Sequence, residues 1–179
     1  DCHHGIGEKE HSELRCKVPE GIGAGISWKV TIDEQVSVQP TTAYGKPIIE
    51  NVILSSYNET GSLIEISSGK NIEGMLTTGQ QVLTFEGRNF GSDMRYFKYI
   101  EFGCSVPNVK GYRLEAGESK NQCKMIEKHR KIQCKTKNGV GTNLRIVAVV
   151  GGQQTPESAI VDGPKLSFAV PTIHYTQRT

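Results

Sequence analysis

The chain has 179 residues, 36% of them hydrophobic, a formal net charge of +2 and a pI near 8.3. That supports a real core and excludes both wholesale disorder and the strong positive field that recruits nucleic acid or an anionic membrane. The 20 glycines, 3 methionines and short runs of Val, Ile and Thr set between turn residues predict an all-β chain.

No apolar run reaches the roughly 18 residues needed to span a bilayer. The first residues, Asp1-Cys2-His3-His4, lack an initiator Met and the apolar stretch of a signal peptide, so the chain reads as a mature or excised segment. Cys2 opens a polar hairpin with His3, His4 and His11 that returns through Leu14-Arg15-Cys16-Lys17. After a turn over 19–25, residues 26–33 alternate without error. Ile26, Trp28, Val30 and Ile32 are expected to face a core, and Ser27, Lys29, Thr31 and Asp33 to face water. A connector at 37–46 precedes Pro47, which opens a new strand at a position where its missing N–H lies outside the ladder. Asn58-Glu59-Thr60 is an N-glycosylation acceptor in a polar, glycine-containing setting. The centre of the chain is Leu83-Thr84-Phe85-Glu86-Gly87-Arg88-Asn89-Phe90-Gly91, a two-faced strand running into a corner that plants Phe90. Gly87 and Gly91 suit positive φ or close backbone approach, and Asn89 tolerates the left-handed region.

The syntax of the first segment recurs. Cys123, a charged hairpin, Ile132-Gln133-Cys134-Lys135, a turn at 139–141 and the strand 144–150 overlay it with an offset of 118 (134 − 16), which also relates Gly21 to Gly139 and Gly23 to Gly141. Ile26, Trp28, Val30 and Ile32 then fall on Leu144, Ile146, Ala148 and Val150. Phe168-Ala169-Val170-Pro171-Thr172-Ile173 repeats 44–49 with an offset of 124 (171 − 47). Repetition at this spacing predicts tandem domains of about Ig size. Residues 1–46 are the later half of one module, 47–170 a complete module, and 171–179 the opening of a third.

Tyr44, Pro47 and Ile49, the 83–91 centre, Ile100-Glu101-Phe102-Gly103, the cysteine hairpin and the Gly-x-Gly turn before the last strand together resemble the IPT/TIG family. That family is shared by plexins, hepatocyte growth factor receptors, Rel-type transcription factors and tandem-repeat surface proteins. The resemblance implies an immunoglobulin-like β-sandwich. The chain departs from the compact family pattern in two inserts, 53–79 and 105–122, and a recognition surface is expected there first.

The repeat pairs Cys2 with Cys16 and Cys123 with Cys134, and leaves Cys104 as a free thiol or bonded to another chain or to a neighbour absent from this segment. A zinc reading of Cys2, His3, His4, His11 and Cys16 is disfavoured. Adjacent histidines on an extended strand point to opposite faces, and the matching hairpin offers only His129. No nucleophile, base and orienting group of recognisable spacing is present, and acids such as Glu50 and Glu65 read as solvated strand faces. The basic cluster at 120–137 reads as a solvated hairpin, and the single Trp is expected to be buried under a covering sheet, with Trp28 and Ile26 exposed where the earlier strands are missing.

The expected role is therefore a structural or adhesive module of an extracellular tandem-repeat glycoprotein, with no catalytic, cofactor or metal residues. Its partners are an N-linked glycan on Asn58 and other copies or neighbouring modules that complete the half-modules head to tail into a stalk or filament. No nucleic acid or membrane insertion is expected. The alternative is a receptor ectodomain binding a protein ligand through the inserts, and a Rel-like DNA-binding module is a weaker third.

Overall fold

The computed structural model describes residues 2–4, 12–103, 111–116 and 122–173. His11, Cys104, residues 105–110 and 117–121 of the second insert, and 174–179 lie outside the described residues. The described chain is all-β apart from one 3-10 turn (Met94–Tyr96) and one short helix. In order come β1 (Cys2–His4), β2 (Leu14–Cys16), β3 (Ile26–Ser27), β4 (Thr31–Ile32), β5 (Gln35–Val36), β6 (Thr41–Thr42), β7 (Ile48–Tyr57), β8 (Leu63–Gly69), β9 (Asn71–Met75) and β10 (Val82–Arg88). Then follow β11 (Phe97–Phe102), β12 (Tyr112–Glu115), β13 (Cys123–Glu127), β14 (Lys131–Lys135), β15 (Leu144–Val150), β16 (Gln153–Gln154), α1 (Glu157–Val161) and β17 (Lys165–Phe168).

Two larger sheets carry the fold, one ordered β13-β14-β10-β7-β8 and the other β12-β11-β15-β17-β9 with β16 on β15. Their pairings are antiparallel except β9 with β17, which is parallel. One hydrophobic cluster draws on both sheets. Val52, Leu54, Leu83, Phe85 and Ile132 enter from the first, and Ile72, Ile100, Phe102, Ile146, Ala148 and Leu166 from the second. Alternation explains the choice: Leu83 and Phe85 on β10 sit opposite Leu54 and Val52 on β7, so the four side chains share a face.

The 83–91 corner follows its chemistry. A Cβ on Gly87 would lie 2.0 Å from the Ile48 carbonyl oxygen, so only glycine lets β10 pass β7 at its bulge. Asn89 and Gly91 take left-handed φ of 64° and 79°, and Phe90 is fully buried in the same cluster as Phe85, Ile146 and Ala148, with Leu144 packed against it.

Two expectations are corrected. The strand expected over 26–33 is broken at 28–30, and 37–46 is no free connector. Asp33 and Glu34, at φ 45° and 67°, form a two-residue turn of the kind that matches strand twist. The chain then returns through β5 and β6 to pair with β4 and β3. The break has a chemical cause. Trp28 N–H donates to the Pro40 carbonyl at 3.0 Å, but proline has no N–H to return the bond. The Ser37 hydroxyl also accepts from Val30 N–H. In the first insert the strand-like stretch at 62–66 falls in a strand from residue 63 onward. β7 runs on to Tyr57 and turns through 58–62 into β8, which forms the edge of the first sheet.

Across that sheet's outer face, Glu86 accepts from Asn51 Nδ2 at 2.8 Å and pairs with Lys131 Nζ at 2.9 Å, each partner directly opposite on a neighbouring strand. The Asn51 bond first and the Lys131 bond second hold the Glu86 carboxyl below its ordinary value of 4.5. A lowered folded-state pKa supplies stability that is complete above the ordinary value and is lost as pH falls through the lowered one. Glu86→Gln is therefore expected to lower stability near pH 7 and to flatten its decline below pH 4.5 in urea titrations. Gly87→Ala is expected to cost roughly 2–4 kcal/mol in the same assay. Gly152→Ala, in open space at φ 75°, is expected to cost about 1 kcal/mol.

Candidate functional site

The repeat seen in sequence is a repeat of geometry. Cys2 lies opposite Cys16 and Cys123 opposite Cys134 on antiparallel strands, and each pair is a disulfide with Cα atoms 4.0 Å apart. Ile26 pairs with Thr42 as Leu144 pairs with Leu166, and Thr31 pairs with Val36 as Val149 pairs with Gln154. Tyr44 N–H donates to the Gly23 carbonyl at 2.8 Å, and Phe168 N–H to the Gly141 carbonyl at 2.8 Å. A Cβ on Gly21 would strike the Tyr44 ring at 2.5 Å, and one on Gly139 the Phe168 ring at 2.4 Å. The hairpin turns agree too, with Asp33-Glu34 and Gly151-Gly152 all at positive φ. Every one of these correspondences keeps the sequence offsets, apart from Cys2 against Cys123, whose hairpin is three residues shorter.

What differs between the two copies is covering. Val150 is 2% exposed, whereas its counterpart Ile32 is 69% exposed. Trp28, the counterpart of buried Ile146, is only partly buried: its Nε1 donates to Thr42 Oγ1 at 2.7 Å, and it lines an open apolar hollow of about 130 Å³ with Val18, Ile26, Ala43 and Tyr44. The Trp is thus not fully buried within this chain, in keeping with its expected exposure where no earlier strands cover it. At the other end, Ile49 is 3% exposed and its counterpart Ile173 97%. The apolar residues are in place, and the strands β10, β7 and β8 of the sheet that covers them in 47–170 have no counterpart among the described residues 12–46.

The first segment is tied to the rest through a compact joint. Ile22 projects from the 19–25 turn onto two glycines, its side chain 3.1 Å from where a Cβ on Gly91 would stand and 2.7 Å from one on Gly151. A Cβ on Gly23 would in turn lie 3.2 Å from the Gly151 carbonyl oxygen, so backbone meets backbone there. Asn89 Nδ2 donates to the Lys46 carbonyl at 2.9 Å and Gln153 Nε2 to the Tyr44 carbonyl at 3.1 Å. Glu20 pairs with His129, whose bond is the largest cause holding the Glu20 carboxyl below 4.5. His129 is presented at φ 62° by the bond from its own N–H to the Gly91 carbonyl. Sequence reasoning missed this joint. The signal was there in Gly151-Gly152, which follows the last inward residue at the offset of Asp33-Glu34.

Asn58 sits at the exposed tip of the β7–β8 hairpin. Its Oδ1 accepts from Thr60 N–H, Thr60 Oγ1 and Ser62 N–H, which orders the exposed acceptor triplet. The described parts of the two inserts meet on the first sheet's outer face. Tyr57 and Gln122 line one hollow of about 240 Å³ with Val82, Lys124, Gln133 and Lys135. The candidate acids are not brought together: Glu50 is 3.3 Å from Arg88, and Glu65 lies opposite Ser55 at the sheet edge. Among the described residues no group of three or more His, Cys, Asp or Glu is placed to hold a metal ion.

No family model, curated protein or solved structure matches the chain. The joint itself predicts a result. Ile22→Asp is expected to speed amide exchange about tenfold across 12–46 while leaving β10 and β15 protected, as read by hydrogen-exchange mass spectrometry.

Proposed function

We propose that the chain is a portion of a tandem array of immunoglobulin-like β-sandwich modules of the IPT/TIG type, structural or adhesive in role, carried on an extracellular glycoprotein and joined head to tail as a stalk or filament. The observation that carries this reading is the paired one: the same register, turn and glycine-to-aromatic packing recur at fixed offsets, and residues buried in one copy are open in the other. Ile173 is 97% exposed where its counterpart Ile49 is 3% exposed, and in this reading its covering comes from further chain or a neighbour. In this reading 1–46, 47–170 and 171–179 are a later half, a complete module and the start of a third.

Two disulfides support an oxidising compartment, and no helix among the described residues is long and apolar enough to cross a membrane. The exposed, ordered Asn58 triplet supports an N-linked glycan. No enzymatic activity is proposed, because the polar side chains near one another are paired across strands in pairs such as Glu86 with Lys131 and Glu101 with Arg113. A receptor ectodomain is the second reading, favoured by the hollow where Tyr57 and Gln122 of the two inserts meet. The Rel-like reading asks for reduced cysteines and a free basic track, and Lys131 of the basic hairpin is held by Glu86.

Intact mass of the chain secreted from a eukaryotic host tests the compartment and the glycan together. The expected result is a glycosidase-sensitive mass increment lost in Asn58→Gln, with both disulfides present before reduction. An unmodified, fully reduced chain would remove the extracellular reading. Loss of ligand capture on deleting 58–62 or 117–121 would favour the receptor reading over the structural one.

A further inference from the structure

Residue Ile22, which fills the joint, has a counterpart at the offset of 118, and that counterpart is Val140. The two stand in the same local structure. Each follows one glycine that leaves room for an aromatic ring, Gly21 for Tyr44 and Gly139 for Phe168. Each precedes another with positive φ, Gly23 at 96° and Gly141 at 118°, whose carbonyl accepts the amide of that aromatic. Ile22 is packed against the core of 47–170, but Val140 is 67% exposed. Val140 is held out by its surroundings: its N–H donates to the Tyr112 hydroxyl at 2.8 Å, and the same hydroxyl donates to its carbonyl at 2.9 Å. Val140 is thus an apolar side chain fixed at both backbone groups and presented to solvent at the place where Ile22 is packed.

We propose that Val140, with the 139–141 turn and the Phe168 and Val170 carbonyls, is the docking end for a following module of the same design. That module takes Val140 between the equivalents of its own Gly91 and Gly151, as residues 47–170 take Ile22. The proposal rests on the tandem reading and specifies its joint. The occupant is identified by the joint already present in the chain. Tyr44 and Lys46 offer their carbonyls to Gln153 and Asn89, and Phe168 and Val170 stand at the same places one repeat later. Close approach also sets a requirement on the partner. A side chain at the position of Gly151 would meet Val140, so the following module must carry glycine there. The 1–46 segment carries Asp33 at that position and cannot serve as such a socket.

The test uses the chain extended by its own repeat: residues 1–170 followed directly by a second copy of 47–179, a splice that keeps the offset of 124. Spin labels at Lys98 of the second copy and Lys124 of the first report the new joint. Labels at Lys29 and Lys98 of the unextended chain report the existing one and serve as the ruler. The expected result is a new-joint distance distribution as narrow as the ruler, broadened at least about twofold by Val140→Asp in the first copy or Gly151→Asp in the second, and kept narrow by Val140→Ile. A broad distribution with exchange-protected cores in both copies would overturn the joint while leaving the tandem reading standing. A second copy without a protected core would overturn the offset of 124, and with it both the tandem reading and the joint.

Discussion

The constraint on which the architecture depends is a glycine turn locked under an aromatic ring. In residues 139–141 one glycine has no side chain because the Phe168 ring occupies its place, and the next takes a left-handed φ so that its carbonyl can receive the Phe168 amide. This fixes where β15 begins relative to β17, and β17 carries the parallel pairing to β9 that completes the second sheet. The same lock under Tyr44 fixes β3 against β6, although little else packs on that hairpin. The lock recurs with and without a covering sheet, and in the second case it sits in the joint, with Gly23 against the Gly151 carbonyl and the Tyr44 carbonyl accepting from Gln153.

A consequence concerns which contacts specify and which stabilise. Burial of Phe85, Phe90, Phe102 and their neighbours supplies the bulk of the favourable free energy, but apolar contacts tolerate sliding. Register is held by features that do not: the Gly87 passage beneath the Ile48 carbonyl, the disulfides between directly opposed cysteines, and the two-residue turns at 33–34 and 151–152. A slip of one residue would exchange the faces of β10 and put Thr84 and Glu86 in the core. The glycines forbid it.

Much of this was legible in the residues themselves. Period-two alternation in 83–86 and 144–150, glycine spacing and the repeated Cys-x-x-x hairpins set strand faces, the corner and the cysteine register, because each depends on nearest neighbours in sequence. The errors came where a distant or absent partner decides. Residues 26–33 alternate perfectly yet break, since Pro40 on the returning strand lacks the N–H that would continue the ladder. The 53–79 insert is marked only as the place to look for a recognition surface; its strand-like stretch at 62–66 needs one neighbour to become an edge strand, and β7 provides it. The joint escaped because Ile22 is an ordinary apolar residue in a turn until the two glycines it meets, far along the chain, are brought to it.

The parallel pairing of β9 with β17 bears on how such a chain comes to be folded at all. Asn71 registers with Lys165, so the second sheet closes only after β17 has been made, and until then the apolar face of β9 and β15 waits open. The cysteine hairpin, by contrast, is local and can oxidise as soon as residue 134 emerges. The corresponding strand β6 carries Thr41-Thr42 where β17 carries Lys165-Leu166, so only β17 brings an apolar side chain, the fully buried Leu166, to the core.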